Sequence, residues 1–168
     1  MKINNSIHQD LLMAHECTYK PIGLICKNII PEKESQEYGA CTFEMNNKII
    51  KFRVAKITPT KSGQFVTFWK RIGDGPIMPY DADDSFDMLI INVKNSTHCG
   101  QFIFSKNVLE EKKIISKNGN GGKRAIRVYP PWDITSSPQA QKTQAWQLLY
   151  FVEIKPILNK RKINTIFT

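Results

Sequence analysis

The stretch FDMLIINVKNSTHCGQFIFSK, residues 86–106, decides the fold of this 168-residue chain. It contains two apolar segments, FDMLIINVKN and GQFIFSK, on either side of a short turn at THCG. Continuous apolar runs of this length between turn signals are typical of strands that are covered on both faces. The stretch therefore predicts two well-buried strands of a sheet.

Further strands are predicted on both sides of this stretch. They are rich in β-branched and aromatic residues, and they cover residues 38–45, 48–57, 64–72 and 124–130. Asn46 and Asn47 provide a hairpin turn between the first two of them, because asparagine tolerates the positive φ that tight hairpins need.

Helices are predicted at residues 6–17, 107–116 and 137–154. The first has Ser6 as its cap, and the last has Ser137 as its cap with Pro138 in the first turn. Apolar residues at helical spacing support both, namely Ile7, Leu11, Leu12 and Ala14 in the first and Ala145, Leu148, Leu149 and Val152 in the last. The predicted fold is of the α/β (α+β) class, a single mixed β-sheet flanked by helices. It forms one domain over residues 1–168, with residues 155–168 as a basic, loosely ordered tail.

The charge of the chain favours anionic partners. Lysine and arginine outnumber aspartate and glutamate by 24 to 15, which gives a net charge of +9 and a pI near 9.4. Such a balance draws a protein toward polyanions, nucleic acid before anionic membranes, although in many basic domains the charge only solvates the surface. No apolar run approaches the roughly 18 residues of a membrane span, and MKINNSIHQD lacks a signal-peptide core. We therefore expect a cytoplasmic protein without a membrane partner.

Metal, cofactor and nucleophile motifs find little support. The cysteines form no CxxC pair and the histidines do not complete a zinc set; these residues are Cys17, Cys26, Cys41, Cys99, His8, His15 and His98. His98 and Cys99 are adjacent and would point to opposite faces of a strand. GNGGK at residues 119–123 matches only part of a phosphate-binding loop. We expect reduced, buried thiols and no small-molecule cofactor.

Five blocks of sequence resemble those of the MepB-like proteins. In order they are FRVAKITPTKSGQFVTFWKR, DMLIINVKN, GQFIFSKNVLEEKKIIS, GGKRAIRVYPPWD and AQKTQAWQ, and the resemblance runs from about Lys51 to Phe151. The resemblance implies a core similar to that of the PD-(D/E)xK restriction-endonuclease-like fold, which makes nucleic acid the natural partner. That implication is an analogy of fold, and a fold alone does not define a function.

The residues that a PD-(D/E)xK nuclease needs are incomplete. Such a site holds a divalent cation between an aspartate and an acid two residues before a lysine. The motif can be aligned with this sequence in two ways. In one alignment Asn92 takes the place of the acid before Lys94, and in the other Phe104 takes it before Lys106. Weak catalytic candidates therefore remain, which are Asp87, Lys94, Lys106 and Glu153. A divergent nuclease that uses Mg²⁺ stays an alternative, with the acidic loop at residues 81–87 either as its metal ligands or as a solvated turn.

A basic surface with interspersed aromatic side chains fits binding better than catalysis. The candidate nucleic-acid-binding residues lie at strand ends and in loops, and they are Lys56, Lys61, Trp69, Lys70, Arg71, Lys106, Lys123, Arg124, Arg127, Tyr129, Trp132 and Lys142. Cations neutralise phosphates, and aromatic rings stack on unpaired bases. We therefore expect single-stranded DNA or RNA as the partner. The alternative is an interaction module for an acidic protein.

The segment KRAIRVYPPWD, residues 123–133, concentrates these features. In a strand, Lys123, Ala125, Arg127 and Tyr129 share one face, and Arg124 lies on the other. Two prolines stiffen the chain before Trp132, which predicts an open ring next to a base, with Arg124 and Arg127 near phosphates. The alternative is structural: the arginines pair with residues 81–87.

Overall fold

The computed structural model describes residues 7–154 and 166–167. Within them the strands are β1 (Lys27–Pro31), β2 (Cys41–Met45), β3 (Lys48–Val54), β4 (Lys56–Thr58), β5 (Lys61–Thr67), β6 (Met88–Lys94), β7 (Cys99–Ser105), β8 (Ala125–Val128) and β9 (Phe151–Glu153). The α-helices are α1 (Gln9–Ala14), α2 (Lys106–Glu111) and α3 (Pro138–Gln147).

The strands form two sheets. The larger has the order β1-β2-β3-β6-β7-β9, with β3 and β6 parallel and the other neighbours antiparallel. The smaller has the order β4-β5-β8 and is antiparallel. The mixed α+β class is confirmed, but the strands form two sheets where the sequence predicted one. It arises at Ala55, which separates β3 from β4, so the predicted strand 48–57 is two strands in different sheets.

The stretch that decides the fold forms the centre of the larger sheet. All of β6 except Lys94 is buried, and β7 pairs with it in the register Ile91↔Phe102. Leu89 and Ile91 enter a core shared with the smaller sheet, α2 and α3, whereas Ile90 enters a core covered by α1. Because β6 is covered on both faces, its sequence is apolar throughout.

The first helix is shorter than predicted. His8 caps it, since its Nδ1 accepts from the amide of Asp10 at 3.1 Å, and the predicted cap Ser6 lies outside the described residues. After six residues the helix widens into a π-helical turn, His15–Tyr19. Leu11 and Ala14 are fully buried, as the spacing predicts.

The last helix begins as predicted and ends early. Ser137 accepts from the amide of Ala140 at 3.1 Å, but α3 ends at Gln147. Residues Phe151–Glu153 form β9, and Leu149 is 70% exposed. The prediction that the helix and its apolar face continue to residue 154 is therefore wrong. The chain leaves the helix because Phe151 and Val152 are buried as members of the larger sheet.

Most of the predicted tail, residues 155–165 and 168, lies outside the described residues. Phe167 is described, and its ring lies edge-on to that of Tyr19 with centroids 6.4 Å apart. No helix within the described part of the chain is long and apolar enough to cross a membrane.

Candidate nucleic-acid interface

Strand β8 presents its basic side chains on one face only. Ile126 and Val128 are buried against the larger sheet, and Ala125 and Arg127 lie on the opposite face. Arg127 is paired across the ladder with Phe65 of β5. The alternation predicted for residues 123–129 is therefore present, and it defines the outer face of the smaller sheet.

Helix α3 is fixed to the edge of this face by one glutamine. Gln147 is 1% exposed; its Nε2 donates to the carbonyl of Arg127 at 3.0 Å, and its Oε1 accepts from the amide of Tyr129 at 2.9 Å. The side-chain amide thus satisfies the free edge of β8 as a neighbouring strand would. Gln144 extends the attachment by donating to the carbonyls of Pro130 and Asp133 at 3.0 and 2.9 Å.

A groove lies between α3 and the outer face of the smaller sheet. It consists of two adjoining cavities of about 490 and 410 Å³ that share Lys61, Lys123, Arg127 and Thr143. We call it the basic groove, because its charged lining residues are Lys61, Lys112, Lys123 and Arg127. Among the described residues, no carboxylate lines either cavity.

The cations of the basic groove keep most of their charge. Lys61, Lys123 and Arg127 take part in none of the ion pairs among the described residues, and Lys112 pairs with Glu111 at 2.8 Å. Arg127 donates to the Thr58 hydroxyl at 2.9 Å and to a backbone carbonyl at 3.2 Å. These neutral acceptors hold the guanidinium in place without cancelling its charge.

Aromatic rings lie among these cations. The Arg127 guanidinium lies 5.9 Å from the centroid of Phe65, and the Lys112 ammonium lies 5.5 Å from that of Trp146. Tyr129 packs on Gly63, whose φ is +77° and whose Cβ, if present, would be 2.7 Å from the tyrosine ring. The groove therefore combines positive charge with flat, partly exposed rings.

Other predicted cations are neutralised elsewhere. Lys70 pairs with Asp84 at 2.6 Å, and Arg71 pairs with Glu34 at 3.0 Å. Lys106 donates to the backbone carbonyl of Asp84. The two carboxylates lower the positive charge that Lys70 and Arg71 present to a ligand, whereas the carbonyl only holds the Lys106 ammonium in place.

The remaining candidates are spread over other parts of the surface. Lys56 lies 4.6 Å from the ring of Tyr38, and Trp69 is 5.5 Å from the Arg71 guanidinium. Lys142 is exposed on α3 without lining either cavity. Arg124 directly precedes β8 and donates to the carbonyl of Ile77 at 3.3 Å. Arg124 and Arg127 are thus separated, and neither pairs with residues 81–87.

Trp132 differs from its predicted open position. Its ring stacks on His98 with centroids 5.2 Å apart and meets Phe151 edge-on at 5.7 Å. Its Nε1 is buried and has no hydrogen-bond partner among the described residues. The prolines do stiffen this segment, but Gln144 binds its carbonyls and turns the tryptophan toward the core.

The predicted acidic loop is tied to its own surroundings. Asp87 accepts from the amide of Ile49 at 2.7 Å, and Asp81 accepts from the Ser116 hydroxyl at 2.6 Å and the amide of Gly119 at 2.9 Å. The Ser116 hydrogen bond, with those from backbone amides, lowers the pKa of Asp81 to about 2. These carboxylates order the loops at residues 81–87 and 116–119.

A carboxylate that the sequence patterns did not indicate lies next to Asn92 and Lys94, one of the two places where a nuclease motif was considered. Asp10 of α1 accepts from the Lys94 ammonium at 2.7 Å and from the Asn92 amide at 3.3 Å, and its side chain is 5% exposed. Gln101 donates to Asn92 at 3.2 Å and accepts from the hydroxyl of Tyr19. No local pattern could have revealed this contact, because 84 residues separate Asp10 from Lys94.

The metal ligands that a nuclease needs are not gathered there. Within the described residues, no group of three or more His, Cys, Asp or Glu side chains is placed to hold a metal ion. Glu153 lies on β9 opposite Gly100. Asn92 and Lys94 share the carboxylate of Asp10, which the lysine ammonium neutralises.

The fold and the site define a mixed α+β protein with a basic groove outside its larger sheet. The chain belongs to the MepB-like family, whose model matches residues 32–153. It is similar to the crystal structure of MepB, with a TM-score of 0.75 and 33% identity over 88% of this chain and 97% of that chain. The structure of the bacterial homing endonuclease I-Ssp6803I matches with a TM-score of 0.42 and 13% identity, over 84% and 93% of the two chains. No curated protein matches the chain.

The expected family resemblance is confirmed, and the matched region is longer than the blocks that suggested it. It begins at residue 32 instead of about Lys51, so it includes β2 and most of the larger sheet. The expected likeness to a PD-(D/E)xK core stays a prediction.

Proposed function

We propose that this protein is a cytoplasmic protein that binds single-stranded DNA or RNA through the basic groove. The observation that supports the proposal is the lining of the groove: four cations and three aromatic side chains with no carboxylate among the described residues. Outside the groove, the candidate cations Lys70 and Arg71 are paired with Asp84 and Glu34.

The chemistry of the groove favours a single strand. Each phosphate neutralised by lysine or arginine releases counterions, which supplies sequence-independent affinity. Aromatic rings add stacking on unpaired bases, about 1 to 3 kcal/mol per base, and a duplex does not offer its base faces. A groove bounded by a helix also admits one strand more readily than two.

A salt series tests the proposal directly. Fluorescently labelled single-stranded DNA, RNA and duplex are titrated with protein, with Mg²⁺ in one arm and chelator in the other. For four cations we expect the slope of log affinity against log salt to be about −2 to −3, since each phosphate contact with a single strand contributes about −0.7. Affinity for single strands should exceed that for duplex.

A charge-matched pair of variants places the contact in the groove. Lys123→Gln should reduce the slope by about 0.7, whereas Lys27→Gln, on the edge strand β1 of the other sheet, should leave it unchanged. Equal effects of the two variants would show that only net charge matters. Salt-insensitive or absent binding would overturn the proposal and direct attention to an acidic protein partner, and fragments formed only with Mg²⁺ would indicate a nuclease.

A further inference from the structure

We propose that the basic groove accepts a single base of the bound strand, with the base in one cavity, its own phosphate in the other and the flanking phosphates at the remaining cations. This inference rests on the proposed function and makes it more specific. The ligand is therefore a single strand. One unpaired base of any identity stacks in the groove, and cations and hydroxyl groups hold the adjoining phosphate.

The smaller cavity is suited to a base. Its walls include Phe65, Trp146, Ile114 and Ile126, which provide flat and apolar surface. The cations at this end, Lys112 and Arg127, lie over the rings. Stacking on such surfaces does not depend on base identity, because every base has a π-face.

The larger cavity is suited to a phosphate. Hydroxyl side chains line it, including Thr60, Ser62, Ser136 and Thr143, and hydroxyls donate readily to phosphate oxygens. The aromatic residue at this end is Tyr129, which also carries a hydroxyl. The difference in lining therefore separates a polar half of the groove from an aromatic half.

The two halves are adjacent, so together they accommodate one base and the phosphate on its own sugar. Lys61, Lys123, Arg127 and Thr143 line both cavities, so they form the boundary between them. A base and the phosphate on its own sugar are joined by a few covalent bonds and can occupy adjoining spaces. A continuous charged stripe along the surface would instead hold many phosphates without distinguishing any base.

The test uses abasic strands as competitors against a labelled thymine octamer at constant salt. An abasic octamer retains every phosphate and lacks every base, so we expect it to compete at least tenfold more weakly than the thymine octamer. An abasic octamer with one central thymine should recover affinity to within about threefold. Further thymines should add little.

Variants then assign the base to the aromatic half. In Trp146→Leu or Phe65→Leu, the advantage of the thymine octamer over the abasic one should fall severalfold, while Lys123→Gln should weaken both strands alike. Tyr150→Leu controls for packing, since Tyr150 contacts the rings of both Phe104 and Trp146 but lines neither cavity. Thermal melting of each variant checks that it folds.

The outcomes separate this inference from the function beneath it. Equal affinity for abasic and thymine octamers, with normal salt dependence, would overturn the single-nucleotide site and leave nucleic-acid binding intact. Affinity that grows steadily with the number of thymines would also overturn it, because several bases would then be in contact. Absence of salt-sensitive binding to any strand would overturn both proposals.

Discussion

Arg53 carries a charge near the end of β3 although its side chain is completely buried. Glu32 compensates it, with an N···O distance of 2.7 Å, and also pairs with Lys51 at 3.0 Å. The Thr42 hydroxyl donates to the same carboxylate at 2.8 Å. A buried ion pair contributes little net stability over an apolar pair, but the loss of one partner leaves an uncompensated charge.

We therefore expect Glu32→Gln to lower the free energy of unfolding by about 3 kcal/mol at neutral pH. Glu34→Gln is the control, because Glu34 and Arg71 form a partly exposed surface pair, and surface pairs contribute about 0 to 1 kcal/mol. Urea denaturation of the three proteins measures both values. A loss of equal size in the two variants would contradict the assignment of Glu32 as the compensating charge.

The same carboxylate should make stability depend on acidic pH. Burial raises the pKa of Glu32, but the charges and hydrogen bonds of Arg53 and Lys51 outweigh it and lower the pKa below its ordinary value. The stabilisation is thus complete above the unfolded pKa of about 4.3 and is lost as pH falls through the folded pKa. In Glu32→Gln, the free energy of unfolding should therefore depend less on pH in the acidic range, because the contribution of Glu32 is gone.

Asn92 shows why an acid at this position would be costly. Its Nδ2 donates to Asp10 at 3.3 Å, and its Oδ1 accepts from Gln101 at 3.2 Å, so both ends of the amide are used. Asn92→Asp removes the donor and places a second buried carboxylate beside Asp10. We expect a loss of about 3 kcal/mol at neutral pH, which becomes smaller as pH falls and the introduced carboxyl binds a proton.

Thermal melting across pH 4 to 8 measures this effect. The introduced group has a raised folded pKa, so the destabilisation should grow as pH rises through the interval between the unfolded and folded values. Asn95→Asp, in the exposed turn after β6, is the matched control and should change the melting temperature little. A pH-independent loss in Asn92→Asp would show that packing, not charge, is responsible.

Helix α3 shows how a whole element can be positioned without an apolar face. Among its buried residues are Ala140 and Gln147, and Gln147 makes the hydrogen bonds that join the helix to β8. Trp146 adds packing against Phe104, with centroids 5.3 Å apart. One wall of the basic groove therefore depends on a side-chain amide.

Gln147→Leu should separate this element from β8. It keeps the volume roughly constant but leaves the carbonyl of Arg127 and the amide of Tyr129 without their partner, which we expect to cost about 1 to 3 kcal/mol. Oligonucleotide affinity should fall as well, because the wall that carries Thr143 and Trp146 is no longer fixed. Gln141→Leu, an exposed residue of the same helix, controls for helix propensity. Unchanged affinity would show that α3 does not form the binding site.

Patterns within a few residues explain which parts of the molecule were predictable. The apolar run of β6 and the alternation of β8 reflect burial on two faces and on one face, so their strands follow from sequence alone. The break at Ala55 carries no turn signal, and it moves β4 and β5 into a second sheet. The contact between Asp10 and Lys94 and the inward turn of Trp132 depend on distant partners, which local patterns do not contain.

The two cores should unfold together, because β6 belongs to both. Leu89 and Ile91 lie in the core on one face, and Ile90 lies in the core on the other, so neither can be lost while the strand keeps its packing. Trp132 and Trp146 report on the first core, and the thiols of Cys26 and Cys41 report on the second. Burial raises the pKa of each of these thiols to about 12, so they should be unreactive in the native state.

In the Cys17→Ser/Cys99→Ser variant, we expect tryptophan fluorescence and thiol labelling to report the same urea midpoint, as a two-state transition requires. Removing the exposed Cys17 and the partly exposed Cys99 leaves a signal from the buried pair alone. Labelling that precedes the fluorescence change would mean that the α1 side opens by itself. The larger sheet would then be stabilised mainly from the side of α3, and oligonucleotide binding to the basic groove would raise the fluorescence midpoint without protecting the thiols.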